Sequence, residues 1–348
     1  MARSGRRLLT FTSWLLASVG LIVVSCFIVN SLVDPLWFLS GNVLTSINYP
    51  FNERVAKLNR LLPRLKDYDC VIFGTSRATL LPEDKAEGYR CFNLAFSDGQ
   101  AREYVLYADY LIRRGFAPRL IIVDIRRDDL IAPLKPADVP DFVAAGDAPR
   151  SIFATYLSLD ALNFSIRTLR GDAPHHRYYD PDFRGRLTVR SKRRHYNPKV
   201  PIKPQPPPLE LHAERAALYV QLRQKFPAAR AIAYLPPESA WRIAAFGLTE
   251  LFDPYLALIG TIAAAYDRFL DFSVPSPLTE TKAPADTYDG SHYSRELNER
   301  VLAALFADNS DLGLDWRRND TATITALYRE RVAQFVAKTT PAKASSAQ

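Results

Sequence analysis

Val71-Ile72-Phe73-Gly74-Thr75-Ser76-Arg77 is a short apolar run that stops on a glycine and two hydroxyl residues. An apolar, β-branched and aromatic run of this length, closed by a turn signal, reads as a buried strand. Gly74 lets the backbone turn sharply, and Ser76 falls just past the strand's carboxyl end, where open parallel sheets hold their ligands. Arg77 and Ala78 can then open a helix whose N–H groups point back at the turn.

Other runs of strand length follow at Cys91–Phe96, Leu120–Ile125, Ala229–Leu235 and Phe269–Phe272. Helical spacing fills the gaps between them, at Ala101–Arg114, at His212–Lys225 and within Glu238–Arg268. Strands alternating with helices predict an α/β fold, a parallel sheet covered by helices. The stretch 132–208 is too long for a simple crossover and reads as an insertion over the ligand-facing rim, with a helix over Ile152–Leu169.

At the far end of this region stands Asp289-Gly290-Ser291-His292. A serine hydroxyl is a poor nucleophile at neutral pH; it needs a base within hydrogen-bond reach, and the base needs an orienting partner. Ser76, His292 and Asp289 are therefore the candidate nucleophile, base and acid. Replacing any one of them removes the logic of the other two.

The chain has 348 residues, 25 prolines against 14 glycines, and a formal net charge of +8. No charged residue occurs between Leu8 and Val33, and about 20 apolar residues cross a bilayer. Arg3, Arg6 and Arg7 precede this stretch and the next basic residue is Arg54, so the charge bias keeps the N-terminus cytoplasmic. A cleaved signal peptide is the rival, but its apolar region is shorter and ends on small residues. Val23-Val24-Ser25-Cys26 resembles a lipoprotein processing box, although the apolar run continues through Phe27-Ile28-Val29. Trp14, Trp37 and Tyr49 read as interface anchors.

The resulting layout is a cytoplasmic N-terminus over 1–9, a transmembrane anchor over 10–33, a juxtamembrane segment and helix over 34–66, one domain over 67–338 and a disordered tail over 339–348. The helix at Asn52–Leu65 is expected to end or kink at Pro63. The domain would lie outside the cytoplasm, anchored in the inner membrane by a single pass. Cys70 and Cys91 open adjacent strands and are either two small buried thiols or a disulfide that such a compartment permits.

Arg184–Lys203 carries Arg184, Arg186, Arg190, Lys192, Arg193, Arg194, Lys199 and Lys203. Outside the cytoplasm such a stretch meets anionic lipid or polymer, not nucleic acid; the alternative is a solvated loop. No cysteine–histidine spacing forms a zinc site, and no cofactor motif is present. His175 and His176 read as surface residues. The run Asp124, Arg126, Arg127, Asp128, Asp129 reads as a solvated loop, with Arg126, like Arg77, a candidate substrate-binding cation.

Gly74-Thr75-Ser76 resembles the first block of the SGNH/GDSL hydrolases, with Thr75 where that family carries Asp, and Asp289-Gly290-Ser291-His292 resembles their last block, Asp-x-x-His. The likeness spans roughly 69–306. It implies a flavodoxin-like three-layer αβα sandwich and ester chemistry through a serine acyl-enzyme. It also implies an oxyanion hole from the Ser76 N–H, a second-block glycine matched by Gly99, and an asparagine. The third block lacks its asparagine, so either the N–H groups of Ser76 and Gly99 suffice or Asn93 contributes its side chain. With its anchor, the chain is similar to the membrane-tethered SGNH-like proteins of alginate O-acetylation or teichoic-acid D-alanylation. That resemblance implies an O-acetyltransferase or acetylesterase acting on a cell-surface polysaccharide, with an acyl-donor protein or a membrane-bound O-acyltransferase as partner. The competing expectation is an inactive envelope protein of the same fold that binds an anionic glycan or scaffolds such an acyltransferase.

Overall fold

The computed structural model describes residues 2–133, 135–188, 195–283 and 285–339. Arg190, Lys192, Arg193 and Arg194 of the basic stretch and residues 340–348 of the expected tail lie outside the described residues. The chain divides into two compact units, Met1–Pro63 with Asp147–Arg184, and Arg64–Gly146 with Gly185–Gln348.

Among the described residues the strands are β1 (Cys70–Phe73), β2 (Cys91–Asn93), β3 (Leu120–Asp124), β4 (Arg177–Tyr179), β5 (Gly185–Leu187), β6 (Arg230–Leu235), β7 (Arg268–Asp271) and β8 (Leu314–Asp315). The second unit is mixed α/β. Its six-stranded sheet runs β2-β1-β3-β6-β7-β8, with parallel pairs throughout except for the antiparallel edge strand β8. The five expected strands are all present; β8, two residues long, carries no pattern of its own.

Side chains alternate across the sheet. Cys70, Ile72, Leu120, Ile122, Ile232, Tyr234 and Leu270 share one face with Leu297, Val301, Leu302 and Leu305 of the helix Arg295–Phe306. On the other face Phe73 meets the rings of Tyr104, in the helix Ala101–Arg113, and of Phe226, which ends the helix Ala213–Lys225. Within Glu238–Arg268 two separate helices form, Ala240–Gly247 and Phe252–Ala265. Cys70 and Cys91, direct partners in the β1–β2 register, are joined as a disulfide, so the free-thiol alternative is set aside. Their Cα atoms stand 4.2 Å apart, close enough that the bond needs no backbone movement.

The first unit begins with a continuous helix, Ala2–Val33, whose segment Thr10–Val33 is long and apolar enough to span a membrane. Three expectations change here. The stretch 132–208 is not one insertion, because 147–184 shares its buried partners with the N-terminal residues: the Asn30 amide donates to the Tyr156 carbonyl at 2.8 Å, and Arg177 pairs with Glu53 at 3.2 Å. Trp37 is buried at 2 % exposure against the edge of Phe183, so it is a core residue and no interface anchor. Ile152–Leu169 breaks into Ile152–Tyr156 and Leu159–Arg170, the second capped by the Ser158 hydroxyl accepting from the Ala161 N–H. The helix Glu53–Leu61 gives way at Leu62 to a 3₁₀ stretch containing Pro63, close to the expected stop.

Candidate active site

β1 ends at Phe73, and Gly74-Thr75-Ser76 follows as a turn rather than the start of a long helix; only the 3₁₀ turn Ala78–Leu80 comes after. Gly74 is required by space. A Cβ there would lie 2.5 Å from Ala78 Cβ and 2.8 Å from Asp124 Cβ.

Asp124, the last residue of β3, fixes the turn from below. Its Oδ2 accepts from the Thr75 N–H at 3.0 Å and from the Thr75 hydroxyl at 2.6 Å. Burial drives the Asp124 carboxyl above its ordinary range, against the pull of Arg77 and the Thr75 hydrogen bonds. On the far side, the Thr79 hydroxyl donates to the Ser76 carbonyl at 2.6 Å. The Thr75–Ser76 backbone is thus held from both directions.

The second segment folds on itself. Asp289 Oδ1 accepts the N–H groups of Ser291 and His292, each at 2.8 Å, while Thr287 Oγ1 accepts from Gly290 N–H at 3.0 Å and donates to the His292 carbonyl at 2.8 Å. Tyr288 stacks on the imidazole, with ring centroids 5.4 Å apart and planes 12° from parallel. Ser294 then caps the helix that anchors the loop, its hydroxyl accepting from the Leu297 N–H.

These two segments, 216 residues apart in sequence, meet. Ser76 Oγ lies 2.7 Å from His292 Nε2, and His292 Nδ1 lies 2.8 Å from Asp289 Oδ2. Because a carboxylate accepts at Nδ1, that nitrogen carries the proton and Nε2 is left to accept from the serine hydroxyl. Burial works against ionisation of Asp289, but the hydrogen bonds and charge of His292 override it and hold the carboxyl down at about 2. The carboxylate therefore stays charged through the range in which imidazoles titrate.

The remaining candidates sort differently. Gly99 lies beside the Gly74-Thr75-Ser76 turn: a Cβ on it would come within 2.9 Å of the Gly74 carbonyl oxygen. Its own N–H makes a long 3.3 Å bond to the Phe96 carbonyl. Asn93 is directed elsewhere, since its amide donates to the carbonyls of Ala78 at 2.8 Å and Leu81 at 3.4 Å. Arg77 is not presented to a substrate either; it is buried and donates to Glu238 at 3.3 Å. Arg126 pairs with Asp98 at 2.5 Å and keeps part of its side chain exposed.

The charged run after β3 is not a solvated loop. Asp124, Arg127 and Asp129 are buried. Asp129 accepts from Arg215 at 2.8 Å and Arg127 pairs with Glu238 at 3.0 Å, partners too distant in sequence for local spacing to reveal.

Glu238 is the residue that sequence reasoning passed over. It is 1 % exposed and sits among Arg77, Arg127 and Arg242, at 3.3, 3.0 and 2.9 Å. Burial alone would raise its pKa, but the three guanidinium groups hold it below the ordinary carboxylate value. The only local clue was a glutamate just after a buried strand. Tyr196 was also missed: its hydroxyl bonds to Ser239 Oγ at 2.7 Å and its ring walls the Gly290 turn.

His175 is exposed and His176 half-buried, and no group of metal-ligating side chains occurs among the described residues.

No family model matches this chain, and no curated protein matches it. Among solved structures, one from Streptococcus pneumonia, titled provisionally as a platelet activating factor, aligns with 11 % identity over 73 % of this chain and 92 % of its own. Its TM-score of 0.32 is too low to carry an argument about this chain.

Proposed function

We propose that the chain is a membrane-anchored serine acyl-transfer enzyme of SGNH-like fold, in which Ser76 is acylated and then deacylated. The observation that carries this reading is the continuous relay Ser76 Oγ, His292 Nε2, His292 Nδ1, Asp289 Oδ2, with both links inside hydrogen-bond range. Ser76 Oγ attacks the acyl carbonyl as its proton passes to Nε2. The charged Asp289 steadies the imidazolium, and His292 returns the proton to the leaving alcohol. In the second half His292 takes a proton from an acceptor hydroxyl or water whose oxygen attacks the acyl carbonyl; the acyl–Ser76 ester breaks as His292 returns the proton to Ser76 Oγ. The N–H groups of Ser76 and Gly99 are the proposed oxyanion donors, at one end of a parallel sheet where such folds bind ligands.

The N-terminal helix supports an anchor in the inner membrane with the N-terminus cytoplasmic. The Cys70–Cys91 bond supports a domain outside the cytoplasm, since such bonds persist in oxidising compartments. An acyl-enzyme in that place fits acetyl transfer to, or removal from, a cell-surface polysaccharide, with an acyl-donor protein or a membrane O-acyltransferase supplying the group.

The test is labelling of the full chain with a fluorophosphonate and turnover of p-nitrophenyl acetate. Both are expected for the native protein and absent in Ser76→Ala. Equal labelling of native and Ser76→Ala protein overturns the assignment of the nucleophile. No labelling of either, with the fold intact, leaves the non-enzymatic glycan-binding or scaffolding reading in its place.

A further inference from the structure

The helix Leu159–Arg170 holds large apolar side chains on its open face, beside the exposed Asp160, Asn163 and Arg170, while Phe164 packs inward on Phe51. Its buried positions are the small residues Ala161, Ser165 and Thr168, at spacings of four and three. Its outward stripe is Leu159, Ile166 and Leu169, at spacings of seven and three, all exposed, Leu159 at 81 %. A helix in water turns its large apolar side chains inward. Small residues inside and large apolar residues outside is the pattern of helices that pack together within lipid.

The inner face meets the N-terminal helix. The Ser165 hydroxyl donates to Asn30 Oδ1 at 2.7 Å, the Asn30 amide donates to the Tyr156 carbonyl at 2.8 Å, and Phe153 stacks on Phe27 at 5.2 Å. Depth follows from helix geometry. At 1.5 Å per residue, a hydrocarbon core of about 30 Å takes up roughly 20 residues, so a span that begins at Thr10 reaches the opposite boundary near Asn30. Phe27, and Phe153 against it, then stand a few ångströms inside that boundary.

A second segment supplies the same chemistry independently. The Val43 N–H donates to the carbonyl of Leu32 in the last turn of the spanning helix, and Val43 and Leu44 leave 65 % and 53 % of their surface uncovered. Phe153, at 64 %, and Leu157, at 47 %, are likewise open. Arg150 and Arg170 are exposed at either end of the 150–170 segment, where anionic headgroups would meet them.

We infer that the first unit docks in the bilayer its helix crosses, with Val43, Leu44, Phe153, Leu157 and Leu159 immersed at the boundary between acyl chains and headgroups. The occupant of the apolar face is lipid. This rests on the N-terminal helix spanning the membrane and is independent of the chemistry at Ser76.

The test uses the full chain with Cys26→Ser and one added cysteine, at Leu159, Val43, Ile22 or Asp182, carrying an environment-sensitive fluorophore. Each is reconstituted in phosphatidylcholine–phosphatidylglycerol vesicles containing doxyl lipids. Labels at 159 and 43 are expected to shift to the blue and to be quenched several-fold more by 5-doxyl than by 12-doxyl lipid. The label at 22 should follow 12-doxyl lipid and that at 182 aqueous iodide only. Iodide quenching at 159 and 43, with 22 still quenched by lipid, overturns the docking alone. Shielding from both quenchers assigns the patch to a protein partner and also overturns it. An unquenched label at 22 removes the spanning helix and the docking together.

Discussion

The backbone N–H of Ser239 donates to the carbonyl of Gly290 at 2.8 Å, so the loop after β6 holds the turn that carries His292. One residue earlier, Glu238 holds Arg77, the neighbour of Ser76. A single dipeptide thus braces both halves of the relay. Glu238→Gln removes the ion-pair partner of buried Arg77 and leaves buried Arg127 with Asp128 alone, at 3.3 Å. We expect a loss of about 3–5 kcal/mol, the usual cost of breaking a buried pair. Urea denaturation reads the stability and fluorophosphonate labelling reads the site; an unchanged midpoint would show that the arginines are neutralised by other groups.

Gly290 has φ +74°, and a Cβ on it would lie 2.4 Å from the Tyr196 ring and 2.8 Å from Ser239 Cβ. Gly290→Ala should therefore displace His292 from Ser76. A shift of about 1 Å costs on the order of 10² in rate. Acetyl-ester turnover measures it, and adding Tyr196→Ala should restore only part, because the ring contact is relieved while the left-handed backbone remains strained. Full activity in Gly290→Ala alone would contradict the fixed turn.

Asp289 titrates at about 2 in the folded chain, below the ordinary value of about 3.9. A depressed carboxylate stabilises the fold above its unfolded pKa and loses that contribution as the pH falls through the folded one. The stability gap between native protein and Asp289→Asn should narrow as the pH falls from about 4 to about 2. Its pH-dependent part should be about 2 kcal/mol. Turnover should fall by about 10³–10⁴ in the same variant, because the imidazole loses its orienting acceptor. A gap that does not change with pH would mean that the carboxylate is not held low.

The Cys70–Cys91 bond closes a loop with a sequence separation of 21. Loop-closure entropy for that length is worth about 3 kcal/mol. Cys70→Ala/Cys91→Ala should lower the denaturation midpoint accordingly, and reductant should lower the native midpoint while leaving the double variant unmoved. Equal midpoints under oxidising conditions would remove the bond from the stability of the sheet.

What could be read from the sequence follows from distance along the chain. The strands were legible because a buried strand is a local apolar run, as in Leu120-Ile121-Ile122-Val123. The relay was legible because Ser76 and Asp289-x-x-His292 each carry their chemistry in a few adjacent residues. Glu238 and Asp124 were not, since a carboxylate looks the same whether it faces water or, like Glu238, two buried guanidinium groups or, like Asp124, a threonine, and the partners that settle this arrive from turns and helices far along the chain. The assignment of 147–184 to the N-terminal unit was hidden for the same reason, being decided by single long-range bonds such as that of Asn30 to Tyr156.

β1 is only four residues long, with a covalent link to its neighbour at one end and the turn that carries Ser76 at the other. Two strands held by backbone hydrogen bonds alone can slide by a residue, a step of about 3.3 Å that also turns every side chain to the opposite face. Cys70 and Cys91 are the directly paired residues of this ladder, so sliding β1 against β2 would first require cleaving a sulfur–sulfur bond. The alignment of Ser76 with His292 is therefore indexed from the opposite end of the strand.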